Sequence, residues 1–123
     1  GKGVHTKIIS TMIGKHNITS PNLESLIENY AINSMSQSKV AIIPEANAIN
    51  KMIKDRVLNR LKAVTGGDAV NFDRKYKESA ECDVWPFMII QSNEFPDFAD
   101  SSGALANRVW PFVLTRSFAG RED

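Results

Sequence analysis

A chain of 123 residues, 42% apolar and 24% charged, has the makeup of one globular domain spanning residues 1–123 and not of a disordered segment. Fifteen basic against fourteen acidic residues leave a formal charge of +1, which argues against a general polyanion coat but leaves room for a local basic patch. The single cysteine, Cys82, excludes an internal disulfide framework and a self-contained cysteine-based zinc site, and the longest apolar runs fall far short of the ~20 residues of a membrane span.

In chain order, Val4, Ile8, Ile9, Met12 and Ile13 mark one face of a first helix, and Gly14 is its natural stop. A second helix is expected with Ser20 as N-cap and Pro21 at its first position, because Leu23, Leu26, Ile27 and Tyr30 recur at helical spacing. Lys39 to Ile43 reads as a buried strand stopped by Pro44. A third helix, from about Lys51 to Val64, carries Met52, Ile53, Val57, Leu58, Leu61 and Val64 on one side and ends at Gly66-Gly67. Residues 69–77 alternate loosely and suggest part of a hairpin. Trp85 to Ser92, apolar on both faces, is expected to be a central strand. After a polar loop over 97–102 come a short helical piece around Ala104–Arg108 and a last strand, Val109–Leu114.

Strands alternating with helices, and strands apolar on both faces, imply an α/β layer with a mostly parallel sheet. No strand stands ahead of the first helix, where such folds place a strand and a phosphate-binding turn, so the sequence is expected to be a piece of something longer. No signal-peptide pattern opens it, and the expectation is a cytosolic protein.

Several residues suit phosphate chemistry by position. Gly1-Lys2-Gly3-Val4 runs directly into an amphipathic helix, where glycines permit close backbone approach and a lysine reaches terminal phosphates. A frayed terminus with a solvated lysine is the plain alternative. Glu45, two residues past a buried strand, stands where an acid holds Mg²⁺ through water or orients an attacking water, unless it is a solvated loop carboxylate. Asn93 ends the strongest strand and either positions water near a γ-phosphate or simply forms a turn. Arg74, Lys75 and Lys77, interleaved with Phe72 and Tyr76, suit a nucleic-acid backbone with unstacked bases, or else form a solvated hairpin edge. Arg108 pairs with nearby carboxylates or is presented to a neighbouring subunit's phosphate. His5, His16 and Cys82 are too scattered for a metal site or a nucleophile pair.

The stretches Leu61-Lys-Ala-Val-Thr-Gly-Gly-Asp68, with Arg74-Lys-Tyr-Lys77, and Pro86-Phe-Met-Ile-Ile-Gln-Ser-Asn-Glu-Phe-Pro96 resemble phage and plasmid primase–helicases. So do Asp100-Ser-Ser-Gly-Ala-Leu-Ala-Asn-Arg108 and Ser117-Phe-Ala-Gly-Arg-Glu-Asp123. Those proteins carry a superfamily 3 helicase module. The resemblance implies a P-loop NTPase-like fold, here lacking its first strand, that binds ATP and Mg²⁺, assembles as a ring, usually a hexamer, and moves along single-stranded DNA in the ring channel. It implies nucleotide contacts from Gly1, Lys2, Gly3 and Val4, with Lys2 as the phosphate-binding lysine. Glu45 becomes the Walker B acid and, through Mg²⁺, the metal residue; Asn93 the polar sensor; Arg108 the finger; and Arg74, Lys75 and Lys77 the DNA-facing hairpin. The setting is the cytoplasm of a bacterial host. Three positions depart from the pattern: the glycine-rich turn ahead of Gly1 is absent, Val4 replaces the hydroxyl residue that would reach Mg²⁺ (Thr6 is a displaced substitute), and Pro44-Glu45-Ala46 offers one acid where many such enzymes carry two. The expectation is negligible turnover by these 123 residues alone within an active complete enzyme. The rival reading is a non-catalytic interaction or nucleic-acid-binding remnant of the same fold.

Overall fold

The structure, a computed structural model, describes residues 1–46, 49–74, 77–99, 102–116 and 119–120. It is a mixed α/β arrangement around a three-stranded parallel sheet. The chain begins with helix α1 (Lys2–Ile13), then strand β1 (Ile18–Thr19), helix α2 (Asn29–Ser36) and strand β2 (Val40–Ile43). Helix α3 (Lys54–Gly66) follows, then strands β3 (Val70–Phe72), β4 (Ala80–Cys82) and β5 (Phe87–Ile90). The sheet order is β1-β2-β5, with Ile18 opposite Val40, and Val40 to Ile43 opposite Phe87 to Ile90. β3 and β4 form a separate antiparallel hairpin.

Apolar burial explains which elements hold the fold. Val57, Leu58, Leu61 and Val64 form the buried stripe of α3, and they meet Leu23, Leu26, Met35, Ala41, Ile43, Phe98 and Leu105 in the main core. Alternation along β2 sends Ile42 to the opposite face, where it is fully buried as well. Ile32 of α2 packs with Phe72 and Cys82, which fixes the hairpin against that helix. At the C-terminus of α3, Gly67 takes a left-handed φ of 76° and donates its N–H to Val64 O, while Asp68 N donates to Ala63 O, so the orphan carbonyls of the last turn are satisfied. Lys54 Nζ donates to Asp97 Oδ2, tying the loop after β5 to the start of α3 and holding that carboxyl below its ordinary range.

Several boundaries differ from the sequence expectation, each for a local reason. Asn22, not Ser20, caps the second helical segment: its Oδ1 accepts from Ser25 N, and a short 3₁₀ turn (Glu24–Ile27) follows. Glu28 is extended (φ −93°, ψ 140°), which breaks the segment, so α2 starts at Asn29 and Tyr30 faces solvent. Asn50 Oδ1 captures Met52 N, which delays α3 to Lys54 and leaves Met52 91% exposed. α1 forms as expected, but Val4, Ile8 and Met12 are more than half exposed, so its apolar face does not enter the core.

β2, not β5, is the central strand, because β1 and β5 take both its edges; the other edge of β5 carries no ladder among the described residues. Residues 104–108 make turns instead of a helix, with Arg108 N donating to Leu105 O. Val109–Leu114 is no strand: no neighbouring strand offers it a ladder among the described residues, and Trp110 is 93% exposed. No helix among the described residues is long and apolar enough to cross a membrane.

Candidate functional site

The carboxyl ends of β2 and β5 and the first turn of α1 converge. In open α/β sheets this is where ligands are taken up. Past β2 the chain turns at Pro44-Glu45, and Ala46 is pinned back onto the end of β5 by Ala46 N donating to Gln91 O. Gln91 N in turn donates to Ile43 O, and Ser92 Oγ donates to Ala46 O. This clamp leaves Glu45 with φ 51°, a left-handed conformation that a non-glycine residue adopts at a cost of about 1–2 kcal/mol. Its carboxylate faces solvent and lies 3.9 Å from Lys2 Nζ. So loose and exposed a pair adds at most about 1 kcal/mol to stability, and its interest is its placement.

Gln91 organises the floor of this site. It is 8% exposed, a buried polar side chain that needs partners. Its Nε2 donates to Lys2 O at 3.3 Å and sits 3.3 Å from His5 Nδ1, which accepts when the imidazole is neutral with its proton on Nε2. Thr6 Oγ1 lies 3.3 Å from Gln91 Oε1 and 3.2 Å from Lys2 O. The amide therefore holds the N-terminal turn of α1 against the end of β5. The sequence pattern marks neither Gln91 nor His5 as a site residue. The available signal was that Gln91 is the first polar residue after the apolar run 87–90.

Gly1 and Gly3 border the same turn, and a Cβ at either would meet nothing within 4 Å, so packing inside the chain gives no reason for glycine there. Val4 is exposed. Asn93 lies in the exposed bend two residues beyond Gln91, outside the hydrogen-bonded floor. Arg108 is elsewhere: its Nη1 donates to Lys62 O at 2.8 Å and lies 3.3 Å from Thr65 Oγ1, against the C-terminal turn of α3 and directly over Gly66. Cations at that end of a helix complement its dipole.

The hairpin forms around a loop in which Arg74 Nε donates to Glu78 O, Lys77 N donates to Arg74 O and Ser79 Oγ donates to Asp73 Oδ1. Lys77 is exposed, whereas Lys75 and Tyr76 lie outside the described residues. Phe72 is 5% exposed and belongs to the core, so it is no stacking platform for a base. Cys82 is buried, its Sγ donates to Val84 O, and burial pushes the thiol above its ordinary value, which disfavours the thiolate that a nucleophile needs.

Among the described residues no cluster of three or more His, Cys, Asp or Glu gathers as a metal site. Mg²⁺ with a nucleotide needs less: it keeps several waters and takes one or two carboxylates besides the phosphates, a role that the solvent-facing Glu45 fits. Residues 1–108 match the family of unknown function DUF5906. The chain belongs to that family.

Proposed function

We propose that this DUF5906 chain is the ATP-hydrolysing module of a replicative DNA helicase of the phage and plasmid primase–helicase kind, with a P-loop-type fold working in a ring, usually a hexamer, in the cytoplasm of a bacterial host. The observation that carries the reading is the approach of Lys2 Nζ to Glu45 Oε1, 3.9 Å apart, where the N-terminus of α1 meets the carboxyl end of a parallel sheet. A cation and a carboxylate so placed are the pair that phosphoryl transfer needs on either side of a terminal phosphate.

In this reading Lys2 neutralises phosphate charge, the open backbone at Gly1 and Gly3 lets oxygen atoms approach, and Glu45 orients the attacking water. Bound Mg·ATP supplies the scissile phosphoanhydride. Gln91 sets the height of the α1 turn over the strand ends, Asn93 reaches the γ-phosphate side from its exposed bend, and Arg108 serves the neighbouring subunit's site. Arg74, Lys75 and Lys77 meet DNA. One observation favours the non-catalytic alternative: Val4 has no hydroxyl, and the Thr6 hydroxyl is already engaged by Lys2 O and Gln91 Oε1. The test is steady-state ATP hydrolysis by the complete gene product. Glu45→Gln should lower turnover by at least about 100-fold, the scale of a lost general base, while nucleotide binding stays within a few-fold. Wild-type turnover in that variant would make Glu45 an ordinary loop acid, whereas no hydrolysis by the unaltered protein would leave the non-catalytic reading standing.

A further inference from the structure

The solvent-facing side of α3 is chemically unlike its buried stripe. Arg56, Asn59, Arg60 and Ala63 lie along it and, with Ile27 from the 3₁₀ turn, line a cleft of about 320 Å³. Arg56 and Arg60 are four residues apart on the helix, so their cationic heads are neighbours. Among the described residues neither forms an ion pair. Arg60 Nη1 is buried and has no hydrogen-bond partner. Burial, then the charge of Arg56, pushes the Arg60 guanidinium below its ordinary value.

A buried N–H left unmade is unfavourable, and so is a like-charge pair at this spacing. A chain using these arginines only as scaffold would be better served by a carboxylate between them or by an apolar side chain at 60. An oxyanion in the cleft relieves the repulsion between the two guanidinium groups, and it gives Arg60 Nη1, which is closed off from solvent, a partner once the side chain turns toward the cleft. A lone carboxylate is satisfied by one guanidinium fork, whereas two forks with an amide beside them match the several oxygens of a phosphate group. The apolar wall of Ile27 and Ala63 lowers competition from water on one side.

We propose that the cleft lined by Arg56, Asn59 and Arg60 is a phosphate-binding site, taking a phosphate group carried by a small phosphorylated molecule or by a nucleic-acid backbone. None of its lining residues belongs to α1, to the ends of β2 and β5, or to the hairpin loop, so it stands independently of the ATPase reading.

The test uses the full chain and two probes. Inorganic phosphate is exchanged for chloride at constant ionic strength while thermal unfolding is followed, and a fluorescent single-stranded DNA oligonucleotide is titrated over a range of salt. The wild-type melting temperature should rise with phosphate along a saturating curve. Arg56→Gln and Arg60→Met should each weaken phosphate association at least tenfold, and Arg60→Met should melt no lower than wild type in chloride, because it removes an unpartnered buried N–H. Arg56→Gln, at an exposed position, keeps the test decisive if Arg60→Met does not fold. If the variants also weaken oligonucleotide binding and reduce its salt slope by about 0.7 for each phosphate they no longer neutralise, the phosphate belongs to a nucleic-acid strand. If they lose the phosphate response but keep oligonucleotide affinity, the ligand is a small phosphorylated molecule. A phosphate effect that does not saturate, or that persists unchanged in the variants, is general salt stabilisation and overturns the proposal.

Discussion

Glu45 combines a charged side chain open to solvent with a backbone at φ 51°. Strain of this kind persists only where its surroundings over-determine it, and here the clamp from Ala46 N to Gln91 O and from Ser92 Oγ to Ala46 O does so. The strain can be separated from the charge. Glu45→Gly removes both and should leave stability unchanged or raised by up to about 1 kcal/mol, since glycine accepts positive φ at no steric cost but is freer in the unfolded chain. Glu45→Val puts a β-branched residue into the same conformation and should lose roughly 1–2 kcal/mol. Urea unfolding checks this: the midpoints should move in opposite directions, or the glycine variant stay put, while the slopes stay equal. Equal midpoints for glycine and valine would mean that the loop relaxes and that position 45 is not strained in solution. The positions of Lys2 and Glu45 are legible in the sequence because each sits at a defined place, a helix start and a strand end. Gln91 was not, because a glutamine after an apolar run looks like any exit-loop residue until α1 folds over it, and its partners Lys2, His5 and Thr6 lie at the other end of the chain.

Elements were legible in proportion to how much of their stability is local. α3 carries a continuous apolar stripe and a Gly-Gly stop, and β2 and β5 are dense β-branched or apolar runs, so their cores were found and only their ends moved. β1 has two residues, too short for any periodicity, and exists because β2 offers it a ladder. Val109–Leu114 shows the reverse: strand-like composition does not make a strand without a partner. Burial also separates helices that look alike in sequence. Leu61 of α3 is fully enclosed, whereas Ile8 of α1 is 53% exposed. Leu61→Ala should therefore cost about 2–5 kcal/mol and Ile8→Ala under about 1, read from the same denaturation curves. A large loss at Ile8 would show that α1 is packed more tightly in solution. The hairpin allows a test of the DNA reading at this same scale. Arg74 is tied to Glu78 O, and Lys77 faces solvent; on the DNA reading, Lys75→Ala with Lys77→Ala should weaken single-stranded DNA binding. The slope of log affinity against log salt should fall by about 0.7 for each DNA phosphate that the two lysines had neutralised. An unchanged slope takes the hairpin off the DNA path.

At the scale of the whole molecule the question is whether Arg108 works within its own chain or across a subunit boundary. Within the chain it donates to Lys62 O and approaches Thr65 Oγ1, staples the chain after Leu105 to the C-terminal turn of α3, and crowds Gly66, where a Cβ would meet its Nη1 at 3.1 Å. Those hydrogen bonds are exposed, so removing them should cost about 1 kcal/mol. A finger acting on a neighbour's phosphate is a separate matter, worth about 10³–10⁵ in rate where such fingers operate. On the proposed ring reading, Arg108→Ala in the complete gene product carries both effects, and mixing experiments separate them. If the protein works as the proposed ring, rings of Arg108→Ala subunits lack every finger and rings of Glu45→Gln subunits lack every water-orienting acid. In mixed rings some interfaces place an intact Arg108 from one subunit against an intact Glu45 of the next, so turnover should exceed that of either variant alone and peak at an intermediate ratio. A purely internal staple predicts something else: a small drop in melting temperature for Arg108→Ala, activity that falls with folded fraction, and mixtures that follow the weighted mean of the two parents. Subunit exchange must be shown independently, for example by energy transfer between labelled protomers. With exchange established, a linear mixing curve removes Arg108 from the neighbouring site and leaves it as the residue that anchors the chain after Leu105 to α3.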